Sequence, residues 1–132
     1  MEELKKAALD TIEENKELIA SVADQIWEYA ELSLQEVRSA ALYCKMLKEL
    51  GFAVEEGVCS ISTAFVASYG SGRPIIGILA EYDALSGLSQ LGGSIKKQEL
   101  TPGGTGHGCG HNLLGAGALA AALGIKHYLQ QS

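Results

Sequence analysis

Apolar side chains recur at Leu4, Ala8, Ile12, Ile19, Val22, Ile26 and Tyr29, with Asn15 the only polar member of the series. The three- and four-residue intervals trace one face of a helix. They predict a single helix over residues 2–30, with Glu3, Glu13, Glu17, Asp24 and Glu31 on a solvated opposite face. A second helix is expected at 34–50. Ser33 and Glu36 have the spacing of a capping box. Leu34, Val37, Ala41, Cys44 and Leu47 form its apolar stripe, which makes Cys44 a small core residue. Gly51 stands where a left-handed C-terminal cap belongs, and Phe52 can fold back on the last turn.

The period then changes to two. Ala53–Glu56 reads as a short strand. Thr63, Phe65, Ala67 and Tyr69 alternate with Ala64, Val66 and Ser68, predicting a half-buried strand at 62–69. Residues 70–74, Gly-Ser-Gly-Arg-Pro, form a turn. Ile75–Ala80 is apolar except for Gly77, as suits a strand covered on both faces. Residues 84–111 hold 8 of the 16 glycines, a long loop of the kind that is usually functional or mobile. A last helix is expected from Leu113 to about Gln130, with Asn112 as N-cap. Its small face, Gly115, Gly117, Ala118, Ala121 and Ala122, suits close packing against a sheet. No repeat or linker divides the chain, and the sum is one α/β domain.

Composition narrows the function. Lys+Arg of 10 against Asp+Glu of 16 gives a net charge of −6 with no basic block, which disfavours nucleic acid and anionic membranes as partners. No apolar run approaches the ~20 residues of a membrane span. The N-terminus lacks the apolar core of a signal peptide. Three scattered cysteines do not make a disulfide framework. A cytoplasmic location is the expectation.

Two segments offer chemistry. Glu81-Tyr82-Asp83 follows the predicted buried strand, and the carboxyl ends of strands are where open α/β sheets bind ligands. Alternation points Glu81 and Asp83 the same way; the plain alternative is a solvated strand end. In Gly106-His107-Gly108-Cys109-Gly110-His111-Asn112, a thiol and an imidazole two residues apart precede a helix N-terminus, which favours thiolate. Both can face one ion, with the alternating glycines leaving room around it. Neither Gly-x-Gly-x-x-Gly nor a P-loop is present. The partners for a Rieske centre or a four-ligand structural zinc site are also missing. His107 is a third ligand, a substrate contact or a plain loop histidine, and His127 receives no role.

Glu-Tyr-Asp-Ala-Leu at 81–85, the glycine-rich loop and Gly-His-Gly-Cys-Gly-His-Asn-Leu-Leu-Gly at 106–115 together resemble the metal-dependent amidohydrolases of the aminoacylase and aminobenzoyl-glutamate hydrolase group, zinc carboxypeptidase-like metallopeptidases. Glu-Leu-Ser-Leu-Gln-Glu at 31–36 resembles the start of that family. The resemblance implies a three-layer α/β catalytic domain, an inserted lid that often mediates homodimers, and a two-metal site, usually zinc, with manganese as the other choice. Cys109 and His111 would be metal ligands and Asp83 the acid supporting the site. Glu81 stands where distant relatives place a ligand histidine. Asn112 and Ser86 depart from the wider family's usual aspartate and proline. The resemblance also implies a longer protein, so residues 1–132 are expected to be the N-terminal part of the catalytic domain, without the lid and without the family's general-base glutamate. Residues 113–132 contain no Asp or Glu. The intact enzyme is expected to hydrolyse an amide bond in an N-acyl amino acid, aminobenzoyl-glutamate-like or dipeptide substrate, and this chain alone to be inactive. The rival readings are a non-catalytic metal-binding or interaction module, and a nucleotide-binding module.

Overall fold

The computed structural model describes residues 2–131. Among them are four helices, α1 (Glu2–Glu14), α2 (Lys16–Tyr29), α3 (Val37–Glu49) and α4 (His111–Gln131), and two strands, β1 (Ala53–Glu56) and β2 (Phe65–Ser68). A single 3-10 turn lies at Val58–Ser60. The class is mixed α/β, as expected.

The first apolar stripe is correct, but the helix it predicts is interrupted at its one polar member. The Asn15 N–H is shared between the carbonyls of Thr11 and Ile12, each at 3.2 Å, and Asn15 Nδ2 donates to Thr11 O at 2.8 Å. An asparagine that bonds its own backbone competes with the helical ladder, so the chain breaks for one residue and resumes at Lys16.

The capping box at Ser33 and Glu36 does not form. Leu34 takes a positive φ of 64°, and α3 begins three residues later than predicted. Its N-terminus is capped instead by Glu31, which the pattern assigned to solvent. Glu31 Oε1 accepts from the Arg38 N–H at 2.9 Å, and Oε2 accepts from the Ser39 N–H at 2.9 Å and from Ser39 Oγ at 2.8 Å. A carboxylate over free N–H groups is favoured by hydrogen bonding and by the helix dipole. Replacing Glu31 by Ala is therefore expected to cost about 1–2 kcal/mol. In urea denaturation this lowers the midpoint without changing the slope, and Glu31→Gln, which keeps an accepting oxygen, loses less. An unchanged midpoint in both variants removes Glu31 from this role.

The later start also turns α3. Leu34 and Val37 are exposed, whereas Ala40, Tyr43, Cys44, Met46 and Leu47 are buried. Its C-terminus follows the sequence. Phe52 N–H bonds to Leu47 O and Gly51 N–H to Lys48 O, both at 2.9 Å, with Gly51 at φ 82°. That is the Schellman arrangement.

β1 and β2 pair antiparallel, Ala53 opposite Ser68 and Glu56 opposite Phe65. The third expected strand is absent among the described residues. Residues 75–80 have no strand partner there, and Ile75, Ile76 and Leu79 are 80%, 72% and 94% exposed. A strand exists only where another chain segment takes its N–H and C=O groups; here β1 and β2 pair only with each other. α3 covers this small sheet, and α4 lies along α1 and α2, so the small face of α4 meets helices and not the expected sheet. Val22 and Ile26 of α2, Tyr43, Met46 and Leu47 of α3, and Leu119 and Leu123 of α4 form the core.

Candidate functional site

Two segments are tied down where they meet α2. The Ala84 N–H donates to Glu31 O at 2.7 Å, and Leu85 and Gly106 exchange two backbone hydrogen bonds at 2.9 and 3.0 Å. From the other side, Thr105 Oγ1 donates to Ala30 O at 2.6 Å, His107 Nε2–H to Ile26 O at 2.9 Å, and Asn112 Nδ2 to Ala23 O at 3.2 Å. Ala30 and Ile26 carry carbonyls at the C-terminal end of α2, where intrahelical donors run out. Asn112 is thus a buried strut within α4 and not its N-cap. Gly106 is required by a close crossing: a Cβ there would overlap the Leu88 carbonyl, and one at Gly108 would lie 2.6 Å from Leu88 Cδ1. Those two glycines clear room for Leu88, where the spacing suggested room for an ion.

The result is one cluster. His111, the first residue of α4, points Nδ1 at Asp83 Oδ1 (2.8 Å) and Nε2 at Glu81 Oε2 (3.2 Å). The side chains of His111 and Asp83 are 16% and 19% exposed, and that of Glu81 is 62% exposed. One donor atom from each of the three lies within 4.8 Å of the others. With Nδ1–H donating to Asp83, the Nε2 lone pair faces a carboxylate oxygen. That pairing calls for positive charge between them, supplied by a proton or by a metal ion. Two ligands at about 2.0–2.1 Å on a tetrahedral zinc ion stand about 3.3 Å apart, close to the observed 3.2 Å. An imidazole whose other nitrogen is held by a carboxylate is also the usual support of a ligating histidine. The donor set fits a divalent cation.

The remaining sequence candidates lie elsewhere. Cys109 is exposed and is not in the three-residue group. His107 turns toward α2, and its Nδ1 is buried without a partner among the described residues; burial pushes its pKa down. Cys44 is buried, and burial raises its thiol pKa. Beneath the cluster, Tyr43, Phe65 and Tyr82 pack with ring centroids 5.5–6.1 Å apart. Burial raises both tyrosine pKa values, with Glu36 and Glu31 adding to the effect at Tyr82. Tyr82 donates its hydroxyl to Thr63 O. Sequence reasoning paired Glu81 with Asp83 but did not bring His111 between them, because that contact joins residues 28 positions apart.

Direct comparison with known proteins bears out the resemblance: the chain is similar to hydrolases and peptidases consistent with the aminoacylase group. It is 45% identical over 131 residues to a p-aminobenzoyl-glutamate hydrolase polypeptide of Escherichia coli strain K12, covering 99% of this chain and 27% of that protein. It is 28% identical over 143 residues to Xaa-Arg dipeptidase of Homo sapiens (98% of this chain, 29% of the relative). Thermostable carboxypeptidase 1 of Saccharolobus solfataricus is 31% identical over 103 residues (76% of this chain, 25% of the relative). The chain therefore spans between a quarter and a third of the length of these curated relatives. No family model matches it. Among the described residues no helix is long and apolar enough to cross a membrane.

Proposed function

We propose that this chain supplies part of the metal site of an enzyme that hydrolyses an amide bond in an aminobenzoyl-glutamate-like, N-acyl amino acid or dipeptide substrate. The observation that carries the reading is His111 held between Asp83 and Glu81, with Nε2 3.2 Å from a carboxylate oxygen. His111 and Glu81 are the ligands, and Asp83 fixes the tautomer and plane of the imidazole. Cys109 joins them as thiolate once an ion draws the segment before α4 inward. When bound, the cation polarises the amide carbonyl and acidifies the attacking water. Imidazole, thiolate and carboxylate donors favour zinc, with manganese the second choice. The fold reading that goes with this is part of a zinc-peptidase-like catalytic domain. These four donors fall short of two full coordination shells, so the 132-residue chain alone is expected to bind zinc weakly and to show no turnover.

Zinc protection of thiols tests the ligand set. Cys59 and Cys109 are exposed and Cys44 is buried. Brief iodoacetamide treatment of the metal-free chain should label the first two and spare Cys44. Added zinc should protect Cys109 and leave Cys59 labelling unchanged. Equal labelling of Cys109 with and without zinc takes it out of the site. Absence of any zinc binding by equilibrium dialysis overturns the metal reading itself.

A further inference from the structure

Tyr43 is 3% exposed, and its hydroxyl has no hydrogen-bond partner among the described residues. A buried phenolic O–H without an acceptor is costly and calls for an explanation. The carbonyl of Glu81 makes no hydrogen bond among those residues either. Both converge on Gly115 in α4: a Cβ built there would lie 2.5 Å from Tyr43 Oη and 3.1 Å from Glu81 O. The two unpaired groups thus flank one small space that the glycine keeps open, directly behind the residue that faces His111. The other hydroxyl of the aromatic cluster, that of Tyr82, is already committed to Thr63 O, which leaves Tyr43 as the free donor.

We infer that Tyr43 is a positioning residue for the cluster of Glu81, Asp83 and His111, its hydroxyl donating to the Glu81 carbonyl when a cation is held there. The inference rests on the metal reading above. Glu81 is the most exposed of the three side chains, and the nearest backbone anchor after it is Ala84, bonded to Glu31 O. A hydrogen bond from the rigid core to its carbonyl fixes the point from which the carboxylate reaches. Tyr43 acts through Glu81 and touches neither ion nor substrate.

The test is Tyr43→Phe, which keeps the ring and its packing. Zinc affinity is measured by titration against a competing chelator dye, and thermal melting is recorded without metal, for wild type, Tyr43→Phe and His111→Ala. The expected result is a loss of about tenfold in zinc affinity for Tyr43→Phe, the lower end of the range for groups that orient ligands. Its metal-free melting temperature should be equal or higher, because the hydroxyl removed had no partner there. Wild-type affinity in Tyr43→Phe overturns the positioning role and leaves the metal site standing. A lowered metal-free melting temperature that accounts for the weaker binding makes Tyr43 merely structural and also overturns it. Wild-type zinc binding that is absent, or unchanged in His111→Ala, overturns the metal reading and this inference with it.

Discussion

Replacing His111 by Ala is expected to abolish zinc binding, with a loss of at least ~100-fold in affinity, the upper end of what a lost ligand-orienting group costs. Among the described residues His111 is the side chain that contacts both carboxylates. Without it Glu81 and Asp83 remain as two like charges with no nitrogen donor between them. The graded series separates ligation from orientation. Asp83→Asn keeps an oxygen acceptor for Nδ1–H but removes its charge, and should weaken binding about 10–100-fold, as losing a ligand's supporting partner does. Glu81→Gln removes a charged ligand and should weaken binding comparably. Stability runs the opposite way: in the metal-free chain both carboxylates compete for one imidazole, so neutralising exposed Glu81 should change the melting temperature little. Equilibrium dialysis beside thermal melting reads both. Equal zinc affinity in wild type and His111→Ala would refute the assignment.

The purified chain is expected to self-associate through residues 75–79, and Ile76→Lys with Leu79→Lys should return it to a monomer. Ile75, Ile76 and Leu79 are each at least 72% exposed, and Ile78 is 42% exposed. Their backbone groups have no ladder partner among the described residues. An extended, uncharged apolar segment with open N–H and C=O groups is a template for pairing with another chain, and inserted lysines are the usual block. Neither substitution touches the core, so far-ultraviolet circular dichroism should be unchanged while sedimentation velocity shifts from oligomer to monomer. A monomeric wild type at tens of micromolar would dispose of this expectation.

That same segment shows where sequence reasoning stops. Its apolar run reads as a doubly covered strand, but covering and pairing come from other segments, and periodicity within Ile75–Ala80 carries no information about them. Local rules worked where the deciding contacts are local. The stripe through Ile12, Ile19, Val22 and Ile26 and the Gly51 cap both depend on neighbours within a turn or two. The start of α3 failed because its cap, Glu31, lies seven residues before Arg38, outside the spacing a capping box samples. At the site, alternation joined Glu81 to Asp83, and the approach of a helix N-terminus was legible at His111. Their meeting was not, since it depends on how α4 docks on α2. Gly106 looked like clearance for an ion, and only the crossing at Leu88 gives its reason.

The struts from Thr105, His107 and Asn112 to α2 have a consequence for cooperativity. They join residues 75, 81 and 89 positions apart in sequence, so the end of α2 cannot fray without releasing the segment that presents His111. The two regions belong to one opening unit in the sense of native-state hydrogen exchange. Occupancy at the cluster is then repaid as protection of amides in α2, by RT ln(1 + [L]/Kd). A helix that contributes no side chain to the cluster thereby becomes a reporter of its loading.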